Sequence, residues 1–141
     1  MPTYIQGLQK PIGFLYAKED ENLIKDFIRH LTMLKRHGLI RLVGAPEQPR
    51  VQVHDLEYIH YLMLFLSPAF LGDETLIDLT FMARDEGVPV IPIVLRPCRW
   101  QQISCINGMV YLPRNDRAVT QQKKDSAFLL IAEDLRKKVE R

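Results

Sequence analysis

Residues 61–68 read YLMLFLSP, and this stretch decides the fold. Its first six residues form a continuous apolar run, which is typical of a strand buried on both faces of a parallel sheet. A membrane-spanning helix would need about 20 apolar residues, so the run is too short for that role. Ser67-Pro68 then predicts a turn or a short helix. We therefore expect Tyr61–Leu66 to be the central strand.

The segments on either side alternate between strand-like and helix-like patterns, as expected for β-α units and a parallel sheet. In chain order, the predicted strands are Ile12–Tyr16, Leu39–Val43, Tyr61–Leu66 and Val88–Leu95. Pro89 and Pro92 lie inside the last strand, and a proline cannot donate to a sheet ladder. We expect this strand to lie near an edge or to be irregular, in a domain of the α/β class.

Apolar residues at helical spacing predict three helices. The first follows the charged loop AKED and stops at Gly38, because glycine favours helix ends. The second begins at Asp73, whose side chain can cap free amides, and stops at Gly87. The third begins at Asp125, which is also a candidate cap.

The composition indicates one compact domain. The chain has 141 residues with 47% apolar content, and we expect an N-terminal lead (1–10) followed by a single domain (11–141). Nineteen basic and seventeen acidic residues leave a net charge of +2 without a basic block. This balance argues against nucleic acid as a partner.

Metal and targeting signals are absent from the sequence. Cys98 and Cys105 do not form a C-x-x-C pair, and no Cys/His cluster has zinc-site spacing, so we expect free thiols and no metal. The N-terminus MPTYIQGLQK lacks the apolar core of a secretory signal. We therefore expect a cytoplasmic protein without a membrane partner.

Five segments resemble a Toll/interleukin-1 receptor (TIR) domain of the bacterial type: IGFLYAKED, LTMLKRHGLI, LEYIHYLMLFLSPAFL, VIPIVLRPCRW and VYLPRNDRAV. Together they cover almost the whole chain. The resemblance implies a flavodoxin-like sheet of about five parallel strands with helices on both faces. It also implies one of two functions. These are assembly with other TIR domains in immune or stress-defence signalling, and cleavage of the nicotinamide-ribose bond of NAD.

The resemblance bears directly on catalysis. Cleavage of NAD passes through an oxocarbenium-like sugar and mainly needs a carboxylate near the ribose. The family places a glutamate on the helix after the SPAFL turn, and the ungapped match puts Thr80 at that position. Threonine cannot supply the charge. Asp78 and Asp73 are candidate substitutes, although a helix cap is the simpler role for Asp73 and a solvated helix face for Asp78.

The resemblance also implies a nucleotide pocket beyond the carboxyl ends of the strands. Tyr16, Ala17, Lys18 and Asp20 are its candidate NAD contacts. Ala17 stands where the family has a serine, and Asp20 can instead cap the first helix. Trp100, in RPC-x-W, either covers a ring or packs the loop. NAD is thus a candidate substrate or ligand, and no cofactor is required.

The loop Gly44–Asp55 is shorter than the family pattern and carries two prolines. Arg50, Val51 and Val53 form a candidate contact patch in it, although the loop can equally be a plain connector. The implied partners are other TIR domains, or a fused or bound sensor module. We expect an assembly module with a degenerate NAD-cleaving site. The alternative is an NAD glycohydrolase that is activated by oligomerisation and uses Asp78 or Asp73.

Overall fold

A computed structural model describes residues 9–140 and contains a four-stranded sheet whose strands are all parallel. The strands are β1 (Lys10–Tyr16), β2 (Ile40–Val43), β3 (Tyr61–Leu66) and β4 (Val90–Val94). Their order across the sheet is β2-β1-β3-β4, so β3 lies inside it as predicted. The prediction of a flavodoxin-like α/β fold is confirmed, with four strands where about five were expected. Most of the expected N-terminal lead lies outside the described residues.

A single residue, Leu112, takes the place of a fifth strand. It forms an isolated parallel bridge with Ile93. Its N–H donates to the carbonyl of Pro92, and its own carbonyl accepts from the N–H of Val94, both at 2.9 Å. A residue's N–H and carbonyl point to the same side of a strand. The nitrogen of Pro92, which carries no N–H, therefore faces Leu112 on the outer side of β4. Pairing with β3 is therefore undisturbed, and the proline in β4 is tolerated.

The described residues include five α-helices: α1 (Glu21–Arg29), α2 (Thr32–Arg36), α3 (Pro68–Leu71), α4 (Glu74–Asp85) and α5 (Lys124–Val139). Three helix ends agree with the sequence analysis. Asp73 caps α4 by accepting from the N–H of Leu76 at 3.2 Å. Gly38 and Gly87 follow α2 and α4 with φ of 69° and 77°, a backbone region that favours glycine.

Two helix predictions are wrong. The first helix is interrupted, because α1 ends at Arg29 and the hydroxyl of Thr32 donates to the carbonyl of Arg29 at 2.9 Å. A threonine that bonds to nearby backbone in this way competes with the helical ladder. Asp125 does not cap α5, since Lys123 holds the cap position and Asp125 lies in the first turn.

Alternate residues of the strands supply two buried clusters, one on each face of the sheet. Phe14 and Phe65 stack with ring centroids 5.3 Å apart on the face covered by α1, α2 and α5. Leu15 and Leu64 point to the other face, where they pack under α3, α4 and the long segment that follows β4. Helices therefore cover both faces of the sheet. The loops after β1, β3 and β4 lie at the carboxyl ends of the strands.

Candidate functional site

The sheet order fixes where a ligand site is expected. The chain leaves β1 toward β2 on one side and returns to β3 and β4 on the other, so the order reverses between β1 and β3. In open parallel sheets, ligands bind in the crevice outside the carboxyl ends of the strands at such a reversal. The loops after Tyr16, Leu66 and Val94 meet at this edge.

Asp20 is the central polar residue of this edge. It is 2% exposed, and both of its carboxylate oxygens are engaged. The Ser67 hydroxyl donates to one oxygen at 2.5 Å, and the Nε of Arg96 donates to the other at 2.8 Å. Asp20 holds the N-cap position of α1 without a side-chain cap bond, so the capping interpretation is wrong. Its carboxylate instead joins the loops that follow β1, β3 and β4.

Ser67 and Arg96 were not singled out as site residues from the sequence. Ser67 is fully buried and also accepts a hydrogen bond from the N–H of Phe70 at 3.1 Å, which caps α3. The backbone N–H of Leu95, next to Arg96, donates to the carbonyl of Leu66 at 3.0 Å. Both side chains are therefore fixed by their backbone as well as by Asp20.

Tyr16 is covered by an arginine from the next loop. Its side chain is 1% exposed, and the guanidinium carbon of Arg50 lies 4.3 Å from its ring centroid. A guanidinium nitrogen of Arg50 also donates to the backbone carbonyl of Tyr16. Burial raises the pKa of the Tyr16 phenol, and Arg50 partly opposes that shift. Arg50 thus covers one face of the Tyr16 ring.

The other expected NAD contacts are divided between surface and core. Lys18 is exposed and Ala17 is buried. Trp100 is 4% exposed and packs edge-on against Tyr111, with ring centroids 5.2 Å apart. Of its two interpretations, packing agrees with the structure, and the ring has no open face for a nucleotide.

Thr80 lies in the core and not in a pocket. It is 0% exposed, and its hydroxyl donates to the carbonyl of Leu76 in the preceding turn of α4 at 2.8 Å. The single hydrogen-bond donor of this side chain is thus used within its own helix. A longer acidic side chain at this position would begin inside the apolar layer between α4 and the sheet.

The two carboxylates considered as substitutes lie together at an open cleft. A cleft of about 400 Å³ between α4 and the loop before residue 54 is lined by Asp73 and Asp78. Its apolar wall includes Leu79 and Met82, and Arg50 lies on its rim. Thr80 does not line it, which agrees with the turn of about 200° around the helix between residues two apart.

The segment between β2 and β3 contains a 3₁₀ helix, Val53–Glu57, where a longer crossover helix would be usual in this fold. Gly44 begins the segment with φ of 78°, and a β-carbon there would lie 2.5 Å from the Val51 side chain. Val51 is 4% exposed, whereas Val53 is 51% exposed. Within the expected contact patch, Val51 is therefore a core residue and cannot present surface.

Asp55 fixes the second half of this segment. Its carboxylate accepts from the Gln52 N–H at 2.7 Å and from the Tyr58 hydroxyl at 2.5 Å. Burial alone would raise the pKa of Asp55, but these two hydrogen bonds and nearby His54 lower it overall. Asp55 thus holds residues 52–58 together.

The two cysteines lie in surroundings that disfavour the reactive thiolate form. Cys98 and Cys105 are half-buried free thiols, and burial raises the pKa of both. Thiols of this kind are poor nucleophiles near neutral pH. Among residues 9–140, no three His, Cys, Asp or Glu side chains come together as metal ligands. None of the helices in that range is long and apolar enough to cross a membrane.

Comparison with known proteins identifies a distant relative but assigns no family. No protein-family model matches the chain. The uncharacterized protein y4lF of Sinorhizobium fredii (strain NBRC 101917 / NGR234) is 29% identical to it over 137 residues. The match covers 89% of this chain and 42% of that protein, so the chain spans less than half of the relative's length.

Proposed function

We propose that this chain is a TIR-type assembly module for immune or stress-defence signalling, with a degenerate NAD-cleaving site. The observation that carries the proposal is the burial of Thr80, whose hydroxyl is bonded to the carbonyl of Leu76. The resemblance puts the catalytic glutamate at this residue. No charged group is offered there, so the chemistry that needs a carboxylate near the ribose has lost its main component.

The surroundings of the strand ends support the same proposal. Arg50 covers the ring of Tyr16, Trp100 is packed against Tyr111, and both oxygens of Asp20 accept hydrogen bonds from the chain itself. Tyr16, Asp20 and Trp100 are three of the five residues from which an NAD pocket was expected. Each of them already contacts another part of the domain, and binding of NAD here would have to break such contacts.

The proposed contact surface is the apolar rim of the cleft. Val53 and Met82 line the cleft from opposite sides and are 51% and 39% exposed. Exposed apolar side chains grouped around a groove are a common feature of protein interaction sites. The partner is a second TIR-type domain.

Sedimentation velocity over a range of protein concentrations tests this surface. We expect concentration-dependent self-association in the wild type, and its loss in the Met82→Glu variant. Met33→Glu is the matched control, because Met33 is 56% exposed on α2 and does not line the cleft. Assembly that is reduced equally by both variants, or by neither, would contradict the proposed surface. A wild type that stays monomeric at every concentration would contradict assembly itself.

NAD glycohydrolase activity is the second candidate function. It is favoured by Asp73 and Asp78, which line the same cleft of about 400 Å³. A carboxylate there could stabilise the oxocarbenium-like sugar that forms as nicotinamide leaves, and assembly could complete the cleft with a partner's loop. Release of nicotinamide by the wild type, lost in Asp78→Asn but kept in Glu74→Gln, would support this candidate. Glu74 is the control because it is an exposed acid on α4 outside the cleft.

A fused or bound sensor module completes the proposal. The relative y4lF extends well beyond the part that matches this chain, so further sequence accompanies the matching region in that protein. In the proposed mechanism, such a module detects the stimulus and brings copies of this domain together. Neither a metal nor a cofactor has a role in it, and the expected location is the cytoplasm.

A further inference from the structure

The guanidinium of Arg96 is bound by a buried carboxylate at its inner edge, while the side chain remains partly exposed. The Nε of Arg96 donates to Asp20, whose carboxylate is 2% exposed and is itself fixed by the Ser67 hydroxyl. The side chain of Arg96 is nevertheless 43% exposed. A buried acid thus fixes the inner edge of an arginine whose outer part remains at the surface.

The outer edge of this guanidinium is free to bind. A guanidinium carries five N–H donors, and one of the five is used by Asp20. Among the described residues, the two Nη groups of Arg96 have no hydrogen-bond acceptor. Two Nη groups on a planar fork match the spacing of two oxygens of a phosphate or a carboxylate.

The position of Arg96 favours a binding role over a purely structural one. Asp20 and Ser67 follow β1 and β3, the two strands that flank the reversal in strand order, and Arg96 follows β4. Ligands of open parallel sheets bind at this edge, so an arginine that reaches it with unused donors is placed where a ligand would arrive. Lys18 and Arg99 are exposed on the same loops, but Glu19 and Asp20 carry as many negative charges, so the net positive charge of these loops comes from Arg96.

We propose that Arg96 is an anion-binding residue at the carboxyl edge of the sheet, positioned by Asp20 and Ser67, and that its ligand carries a phosphate or carboxylate group. This site does not depend on assembly or on NAD cleavage. Asp20 acts through Arg96 and does not touch the ligand. Because Asp20 already holds the Arg96 guanidinium in one orientation, binding of an anion loses less side-chain entropy.

NMR titration of the full chain with inorganic phosphate, and separately with acetate, tests the site. We expect saturable shifts at the Nε–H of Arg96 and at the backbone amides of Arg96, Cys98 and Arg99, since Pro97 has no N–H. Arg96→Gln should weaken phosphate binding at least tenfold, whereas Arg99→Gln should change it less than twofold. Arg96→Lys keeps the charge but not the fork, so it should also bind much more weakly and serves if Arg96→Gln does not fold.

The two anions distinguish the source of the ligand. Tighter binding of phosphate would assign a phosphate-bearing ligand, and tighter binding of acetate would assign a carboxylate. Equal loss of binding in Arg96→Gln and Arg99→Gln would overturn the proposal, because it would indicate a diffuse charge effect. Absence of saturable binding of either anion to the wild type would also overturn it, and would leave Arg96 as a structural partner of Asp20.

Discussion

Replacing Thr80 by glutamate tests whether this position is core or pocket. Thr80 is 0% exposed, and its hydroxyl bonds to the carbonyl of Leu76. Loss of that bond should cost about 1 kcal/mol. An uncompensated buried carboxylate adds about 3 kcal/mol or more, and overpacking adds about 1 kcal/mol or more. We therefore expect Thr80→Glu to lower the free energy of unfolding by about 5 kcal/mol at neutral pH.

Urea unfolding followed by circular dichroism measures this change. Thr80→Val is the matched control, because it keeps the shape and should lose about 1 kcal/mol. The deficit of Thr80→Glu should shrink as pH falls, since burial raises the folded-state pKa of the new acid and stability returns once it is protonated. A Thr80→Glu variant as stable as Thr80→Val would show that residue 80 reaches solvent, and would refute the reasoning.

Three other measurements test the surrounding structure. Gly44→Ala should destabilise the domain by about 3 kcal/mol, because the added carbon clashes with Val51 and the positive φ is strained for alanine. Gly87→Ala should cost about 1 kcal/mol, since its added carbon meets nothing within 4 Å and only the strained φ remains. Equal losses of stability in urea unfolding would contradict the tight packing around Gly44. The lowered pKa of Asp55 stabilises the fold at pH values above the ordinary aspartate pKa. The wild type should therefore be more stable than Asp55→Asn there, and this difference should disappear as pH falls through the lowered pKa. A difference that persists in urea unfolding at still lower pH would contradict the lowered pKa. Cys98 and Cys105 should react with iodoacetamide along a pH profile displaced upward from that of the urea-unfolded chain, and coincident profiles would show that burial does not raise their pKa values.

The elements that were predicted well are those specified by local sequence. Tyr61–Leu66 has the bounds of β3, because a continuous apolar run followed by Ser-Pro leaves little freedom in where a buried strand ends. Asp73 caps α4 and Gly87 ends it, and both signals depend on a few neighbouring residues. Such signals need no knowledge of tertiary contacts.

The elements that were missed depend on distant partners. Asp20 looked like a helix cap, yet its carboxylate is bound by Ser67 and Arg96, 47 and 76 residues away in the chain. Val51 looked like part of a surface patch, because nothing in a proline-bearing loop indicates that it packs on Gly44. An isolated sequence gives the type of a side chain, whereas the neighbour that engages it is set by the fold.

The alignment of Thr80 with a catalytic glutamate is a prediction of a different kind. Sequence register assigned it to the active position, and the structure adds that this side chain faces the sheet while Asp78 lines the cleft. The direction of a helical side chain changes by about 100° from one residue to the next. One inserted residue in the alignment is therefore enough to move the family's glutamate position from the core face of α4 to the cleft face. The cleft acids therefore have to be tested along with residue 80.

The most direct measurement is nicotinamide release from NAD by the wild-type protein at a concentration where sedimentation shows it assembled, with a crowding agent present. The account predicts assembled protein with no release above that of a matched protein-free sample. Steady release that disappears in Asp78→Asn and persists in Glu74→Gln would contradict it, and would identify an enzyme whose catalytic acid lies on the cleft side of α4.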